Sequence, residues 1–205
     1  MSKLPKLPYI DFAVDCETLG RRWDAPVLAI GAVAFDRRTG VLGQEFYQEI
    51  DFTSACKNAR VDGDTVAWWM RQSAEARQLF QDTGRLKLAL ATALQEFTAW
   101  GRALPGACQP WGNGATSDIT WLEHAYDTGT VGLQEPWHFR NIRDMRTILD
   151  VVAYLDPKFN AWTGLDPAGV AHHALDDAKA QATAIANCYM HLKTNFKAEP
   201  DDDDF

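Results

Sequence analysis

Residues 9–15 alternate apolar and polar side chains, with Ile10, Phe12 and Val14 on one side, which is the period of a strand with a buried face. The run VLAIGAVAF, Val27–Phe35, is almost unbroken in its apolarity, as expected of a strand covered on both faces. Asp36-Arg37-Arg38-Thr39-Gly40 then supplies turn formers, and residues 46–50 resume an extended pattern. Three consecutive strands therefore precede the first helix. Beyond them the period lengthens. Residues 65–71 and 74–80 each suggest a short helix, and Leu86, Leu90, Ala93, Leu94 and Phe97 recur at helical spacing. A short strand at 107–111 ends at Gly112-Asn113-Gly114, and 118–126 reads as a helix with Ile119, Leu122 and Tyr126 on one stripe. An extended piece at 138–141 leads to a helix over 143–154. The last helix, over 175–192, is expected to bury Ala178, Ala182, Ile185, Ala186 and Tyr189.

Three antiparallel strands followed by alternating helices and strands predict an α/β fold layered around a mixed sheet. With 205 residues, 46% of them apolar or aromatic, the chain suits one well-packed domain rather than two. That domain is expected over 9–192, between a short extension at 1–8 and an acidic, solvated tail at 193–205. Residues 1–8 are polar and proline-punctuated, unlike a secretory leader, and no apolar run approaches the ~20 residues that span a bilayer. Cys16, Cys56, Cys108 and Cys188 are widely spaced and form no CxxC pair, which fits reduced thiols in a cytoplasmic protein.

The net charge of −8 argues against a partner held by a basic surface alone. Its distribution weakens that objection, because Glu199, Asp201, Asp202, Asp203 and Asp204 crowd the C-terminus. Residues 1–198 carry 23 acids against 20 bases, a balance of −3 that two bound divalent cations would turn slightly positive. A metal-free DNA-binding module is thus disfavoured more than a metal-dependent nuclease.

Asp15 and Glu17 stand two apart at the end of the first strand, so their carboxylates share a face. Ligands of open α/β sheets commonly sit at such strand ends, although solvated acids end strands too. Here an apolar strand runs up to Val14, and two adjacent carboxylates are costly there unless a cation offsets them; hard oxygen donors suit Mg2+ or Mn2+. Asp118 follows a glycine-bounded turn and opens a helix, where N-capping is the simplest role, one that Thr116 or Ser117 can also fill. In His172-His173-Ala174-Leu175-Asp176-Asp177-Ala178, the aspartates start the last helix either as caps or as ligands. The histidines before them are loop residues or proton acceptors near a metal.

DxET at Asp15-Cys16-Glu17-Thr18, the glycine-bounded Asp118, and HxALxDA at 172–178, in that order, resemble the DEDDh branch of the DnaQ-like 3′→5′ exonucleases. Ala67-Trp68-Trp69-Met70-Arg71-Gln72-Ser73, Trp111-Gly112-Asn113-Gly114 and Arg143-Asp144-Met145-Arg146-Thr147 are similar to the phage and prophage exodeoxyribonuclease VIII-like and exoribonuclease group. The likeness runs from about residue 9 to 192, with one departure: Ser117 stands where the superfamily usually has an aromatic residue before its Asp.

The resemblance implies an RNase H-like fold and release of nucleoside 5′-monophosphates from the 3′ end of single-stranded DNA or RNA. It implies two Mg2+ or Mn2+ ions held by Asp15, Glu17, Asp118 and Asp177, with Asp15 between them. The family's histidine lies five residues before the last Asp, which selects His172 as general base. A fully helical segment would instead put His173 on the face of Asp177. Thr18 and Leu19 are implied to line the terminal nucleotide, with Trp68 and Asn113 as further substrate-binding residues. Trp68 and Trp69 are candidate stacking platforms, though core packing better accounts for at least one of them. Arg143 and Arg146 are candidates for phosphate contacts, but ion pairs with Asp144 or Asp150 explain them equally well, and both are left outside the site. Two rivals share the fold: a non-catalytic nucleic-acid-binding module, and a polymerase-associated proofreading subunit.

Overall fold

In the computed structural model, residues 9–196 are described except 82, 83, 85, 115, 167 and 168. The extension at 1–8 and the acidic run near the C-terminus lie outside the described residues. Tyr9–Thr18 (β1), Val27–Phe35 (β2) and Leu42–Glu49 (β3) form a consecutive antiparallel meander. Ala107–Gly112 (β4) pairs parallel with the free side of β1, and the two-residue Arg143–Asp144 (β5) pairs parallel with β4. The sheet order is β3-β2-β1-β4-β5. All residues of β2 are buried, as its apolar run requires of a strand packed on both faces.

Helices close both faces. Phe52–Cys56 (α1), Gly63–Trp69 (α2), Leu90–Ala103 (α3) and Asp118–Gly129 (α4) cover one side, where Phe12, Val14 and Cys16 of β1 meet Trp69, Leu94, Phe97 and Leu122. Met145–Leu155 (α5) and Ala174–Asn195 (α6) cover the other, where Ala13, Val33, Phe35 and Trp111 meet Met145, Val152 and Ile185. The residues of α6 against the sheet are mostly alanines, which lets the helix lie close to the strands.

Several elements depart from the sequence pattern, each for a local reason. β3 begins at Leu42 rather than 46, because its first half is exposed on both faces and carries no alternation. The expected helix at 74–80 is a 3₁₀ turn, Ala76–Phe80, and α1 is too short to show a period. Leu86 lies outside α3 and is 76% exposed, while nearby Leu88 bridges Ile50. Residues 138–141 are not extended; Phe139–Asn141 is a 3₁₀ turn, and the short strand follows at β5. α5 starts at Met145 because Asp144 caps it, accepting the Thr147 N–H at 2.8 Å. Tyr189 is half-buried, with the Arg37 guanidinium over its ring. All four cysteines are free, and among the described residues no helix is long and apolar enough to cross a membrane.

Candidate active site

Alternation along β1 decides where its carboxylates go. Phe12, Val14 and Cys16 enter the α1–α4 core, so Asp15 and Glu17 turn toward α6. There Gln181 Nε2 donates to Asp15 Oδ1 at 2.7 Å, and Asp177 completes a cluster: one oxygen each from Asp15, Glu17 and Asp177 lie within 4.8 Å of one another.

Asp118 stands beside this trio. It is buried, and it does not cap its own helix: Ser117 takes the N-cap position without a side-chain bond. Instead Asp118 Oδ1 accepts the Cys16 N–H and Oδ2 the Asn113 N–H, both at 3.1 Å, tying the ends of β1 and β4 together. Gly112 leaves the room for this, since a Cβ there would touch both Ile119 and the Asp118 carboxylate.

The start of α6 separates the two histidines. His172 has φ 63°, the only left-handed non-glycine residue among the described ones, a conformation costing an L-residue about 1–2 kcal/mol. This turn puts the His172 N–H on Asp177 Oδ2 at 2.9 Å and its ring edge-on to Trp68, centroids 4.8 Å apart. His173 leads away, stacked on Tyr47 with its Nδ1 3.3 Å from the Asp176 carboxylate. Asp176 also accepts the Val170 N–H, so it serves the loop rather than the cluster. Beneath this turn, Gly31 of β2 is indispensable: a Cβ there would lie 2.2 Å from Ala174 C and Leu175 N. Only a glycine lets α6 begin where Asp177 reaches Asp15.

The electrostatics are those of crowded, desolvated acids. Burial, then the neighbouring charges of Asp118, Glu17 and Asp177, holds the Asp15 carboxyl well above the usual carboxylate range. Glu17 is pushed up to about 8 by burial and by Asp177 and Asp118. Asp118 is raised by burial to about 6, against the opposing pull of its two backbone donors and of Arg146. Asp177 is raised too, mainly by burial. Glu17 Oε1 and Gln181 Oε1 are buried with no hydrogen-bond partner among the described residues. Converging hard oxygen donors, mutual repulsion and orphaned acceptors are what a divalent cation satisfies.

A cleft of about 520 Å3 holds Asp15, Glu17, Asp118, Asp177 and His172, with Trp68 and Asn113 on its walls. A model of the Rv2179c-like 3′-5′ exoribonuclease domain matches residues 11–189. The chain belongs to that family. Among curated proteins, none matches it. Solved structures do. The nuclease domain of 3′hExo, a DEDDh family member bound to rAMP, is 12% identical with TM-score 0.56, covering 91% of this chain and 92% of that one. Exonuclease I from Methylocaldum szegediense is 16% identical with TM-score 0.63, and E. coli Exonuclease I in complex with a dA16 oligonucleotide is 14% identical with TM-score 0.59. Each of these two matches covers 91% of this chain but 41% of the neighbour. A 3′-exonuclease recognising a histone mRNA stem-loop is 12% identical with TM-score 0.57, over 89% of this chain and 64% of its own. At such identities the likeness is one of fold, and the fold is that of the RNase H-like, DnaQ-like exonucleases.

In this member of the exoribonuclease-domain family, the remaining sequence candidates divide. Thr18 is buried at the strand end, accepting Trp69 Nε1 on its carbonyl, and lines a second lobe of about 540 Å3 that shares Glu17 and Trp68 with the first. Leu19 packs against the core edge. Trp69 is core, whereas Trp68 is exposed at the junction of the lobes. Arg143 turns to the carbonyls of Arg140 and Ile142. The cleft also holds Trp121, Trp162 and Gln181, which the sequence did not single out, and Arg146, which it set outside the site. Gln181 carried a signal, four residues after Asp177 on one helix face. Trp162, in an irregular loop, carried none.

Proposed function

We propose that this protein removes nucleoside 5′-monophosphates from the 3′ end of single-stranded RNA or DNA. Asp15, Glu17, Asp118 and Asp177 are the proposed holders of two Mg2+ or Mn2+ ions, and His172 is the proposed general base. The observation that carries the reading is the convergence of carboxylates from β1, α4 and α6 with His172 in one cleft. The bound ions supply charge that stabilises the attacking and leaving oxygens of an in-line displacement.

The chain's own groups do the rest. His172 takes the proton of the attacking water, its ring held by the left-handed turn and the edge of Trp68. Gln181 orients Asp15, and the Cys16 and Asn113 amides orient Asp118. Thr18 and Leu19 border the terminal nucleotide, and Trp68 offers its base a stacking surface worth about 1–3 kcal/mol. The oligonucleotide, stem-loop and rAMP complexes of the structural neighbours support a nucleic-acid 3′ end as the partner. The finer likeness to the phage and prophage group is part of the same proposal, since Trp68, Asn113 and Arg146 from its three stretches meet at this cleft.

Matched 5′-labelled single strands of RNA and DNA, incubated with Mg2+ or Mn2+, should shorten progressively. Intact strands in both metals would overturn the reading, and binding without cleavage would favour the non-catalytic module. Asp15→Asn and Asp177→Asn should each abolish shortening; activity retained in both would remove the metal assignment.

A further inference from the structure

We propose that Arg146 and Trp162 form the subsite for the nucleotide on the 5′ side of the scissile phosphate, the guanidinium holding its phosphate and the indole stacking its base. The inference rests on the nuclease reading above and adds the direction in which the strand leaves the site.

The two lobes of the cleft share Cys16, Glu17, Trp68 and Trp121. Thr18 lines only one lobe, and the catalytic candidates Asp15, Asp118, Asp177 and His172 line only the other, together with Arg146 and Trp162. A terminal nucleotide in the Thr18 lobe brings its 5′-phosphate over the carboxylates. The next nucleotide then has the second lobe left to it.

Arg146 is built for a phosphate. Its Nε donates to Asn113 Oδ1 at 3.2 Å, which holds the planar fork against the cleft wall. The guanidinium lies close over Gly114, at φ +125°: a Cβ there would lie 2.9 Å from Ser117 Oγ, 3.3 Å from Arg146 Cζ and 3.5 Å from Nη1. Arg146 is exposed, and among the described residues its terminal nitrogens form no ion pair or hydrogen bond. A free guanidinium fork matches two phosphate oxygens, and its charge offsets the acids below.

Trp162 is 43% exposed and stacks on no other ring among the described residues. Its backbone is nonetheless pinned. The Trp162 N–H donates to Asn160 Oδ1 at 3.0 Å, and Asn187 Nδ2 of α6 donates to the carbonyls of Ala161 and Thr163 at 2.8 and 2.9 Å. A loop fixed on both sides of an open indole presents a flat apolar surface, and a base of any identity fills it.

The test compares an oligonucleotide with the mononucleotide product, which reaches only the Thr18 lobe and the carboxylates. Trp162→Ala should raise KM for a single-stranded decamer about 5- to 150-fold, the loss of one stacked base, with kcat changed much less. The inhibition constant of the nucleoside 5′-monophosphate should rise by a far smaller factor, and Trp162→Phe should restore most of the KM. Arg146→Ala should flatten the slope of log kcat/KM against log salt by about 0.7, the increment of one phosphate contact on a single strand. Thermal unfolding of each variant shows that it is folded. Equal losses for oligonucleotide and mononucleotide, or no loss for either, would overturn the subsite. A wild-type protein that binds the mononucleotide but cleaves no strand would instead overturn the nuclease reading, and the subsite with it.

Discussion

His172 shows how much one residue is asked to hold. A histidine in left-handed backbone pays for its position, and strain of this kind persists where the surroundings over-determine it. The Asp177 carboxylate on its N–H and the two tryptophan edges around its ring are those surroundings. His172→Ala should therefore lower kcat by about 10²- to 10⁴-fold, the range of a lost general base, while the melting temperature moves little. Activity within a few-fold of wild type would sink the base assignment. The carboxylates invite a different experiment. Asp15 is buried among acids that repel it, so Asp15→Asn should raise the melting temperature of the metal-free protein while eliminating turnover. A lower melting temperature without metal would contradict that balance. At this scale the sequence displayed the residue types well, because a motif needs only spacing. It could not show that Arg146 turns into the cleft, since a helix-start arginine with acids nearby has several partners in reach.

Among the elements, the start of α6 matters most for the site. Its register on the sheet depends on Gly31, over which the helix backbone passes. Gly31→Ala should destabilise the fold by at least about 1–3 kcal/mol, the usual cost of overpacking, because here helix backbone rather than a side chain must give way. It should also depress kcat far more than a surface substitution of equal stability cost, because Asp177 and His172 move with the helix. Normal turnover in that variant would mean the helix start tolerates displacement. At the opposite end of β1, Asp11 accepts Arg37 Nε at 2.7 Å and Trp111 Nε1 at 2.8 Å, and Arg37 also reaches Gln109 and Tyr189. This network ties the β2–β3 hairpin to β4 and α6. Asp11→Ala leaves the largely buried guanidinium without its carboxylate and should cost about 3–5 kcal/mol in a denaturation experiment, with turnover per folded molecule preserved. Element boundaries were readable where a long apolar pattern ran unbroken, on both faces in β2 and on one face in α6. They were not readable in β3, β5 and α1, where exposure or brevity erases the period.

For the whole molecule, the acid cluster makes stability depend on pH and metal together. Glu17 and Asp118, at about 8 and about 6, keep protons in the folded state that the unfolded chain has already released. Their contribution is fully present below the ordinary carboxylate range and is lost as pH rises through 6 and then 8. In chelator, the melting temperature should fall between pH 5 and pH 8 beyond what a variant with Glu17→Gln shows. Mg2+ or Mn2+ should stabilise the protein, and more strongly at the upper end of that range, because the ions bind the deprotonated carboxylates. A melting temperature indifferent to pH and to both metals would show that the cluster is not a cation site.

The chain by itself determined the succession of the longer strands and helices, the mixed sheet, and the acids and histidines to watch. These follow from periodicity and spacing, which are local properties of the sequence. Only the tertiary structure decided which histidine enters the cleft, because the choice turns on one left-handed residue rather than on helical spacing. It also decided that Asp118 clamps two strand ends instead of capping its helix, and that Arg146 and Trp162 face the same opening. Those outcomes depend on contacts between segments far apart in sequence, which the order of residues along the chain does not encode one at a time.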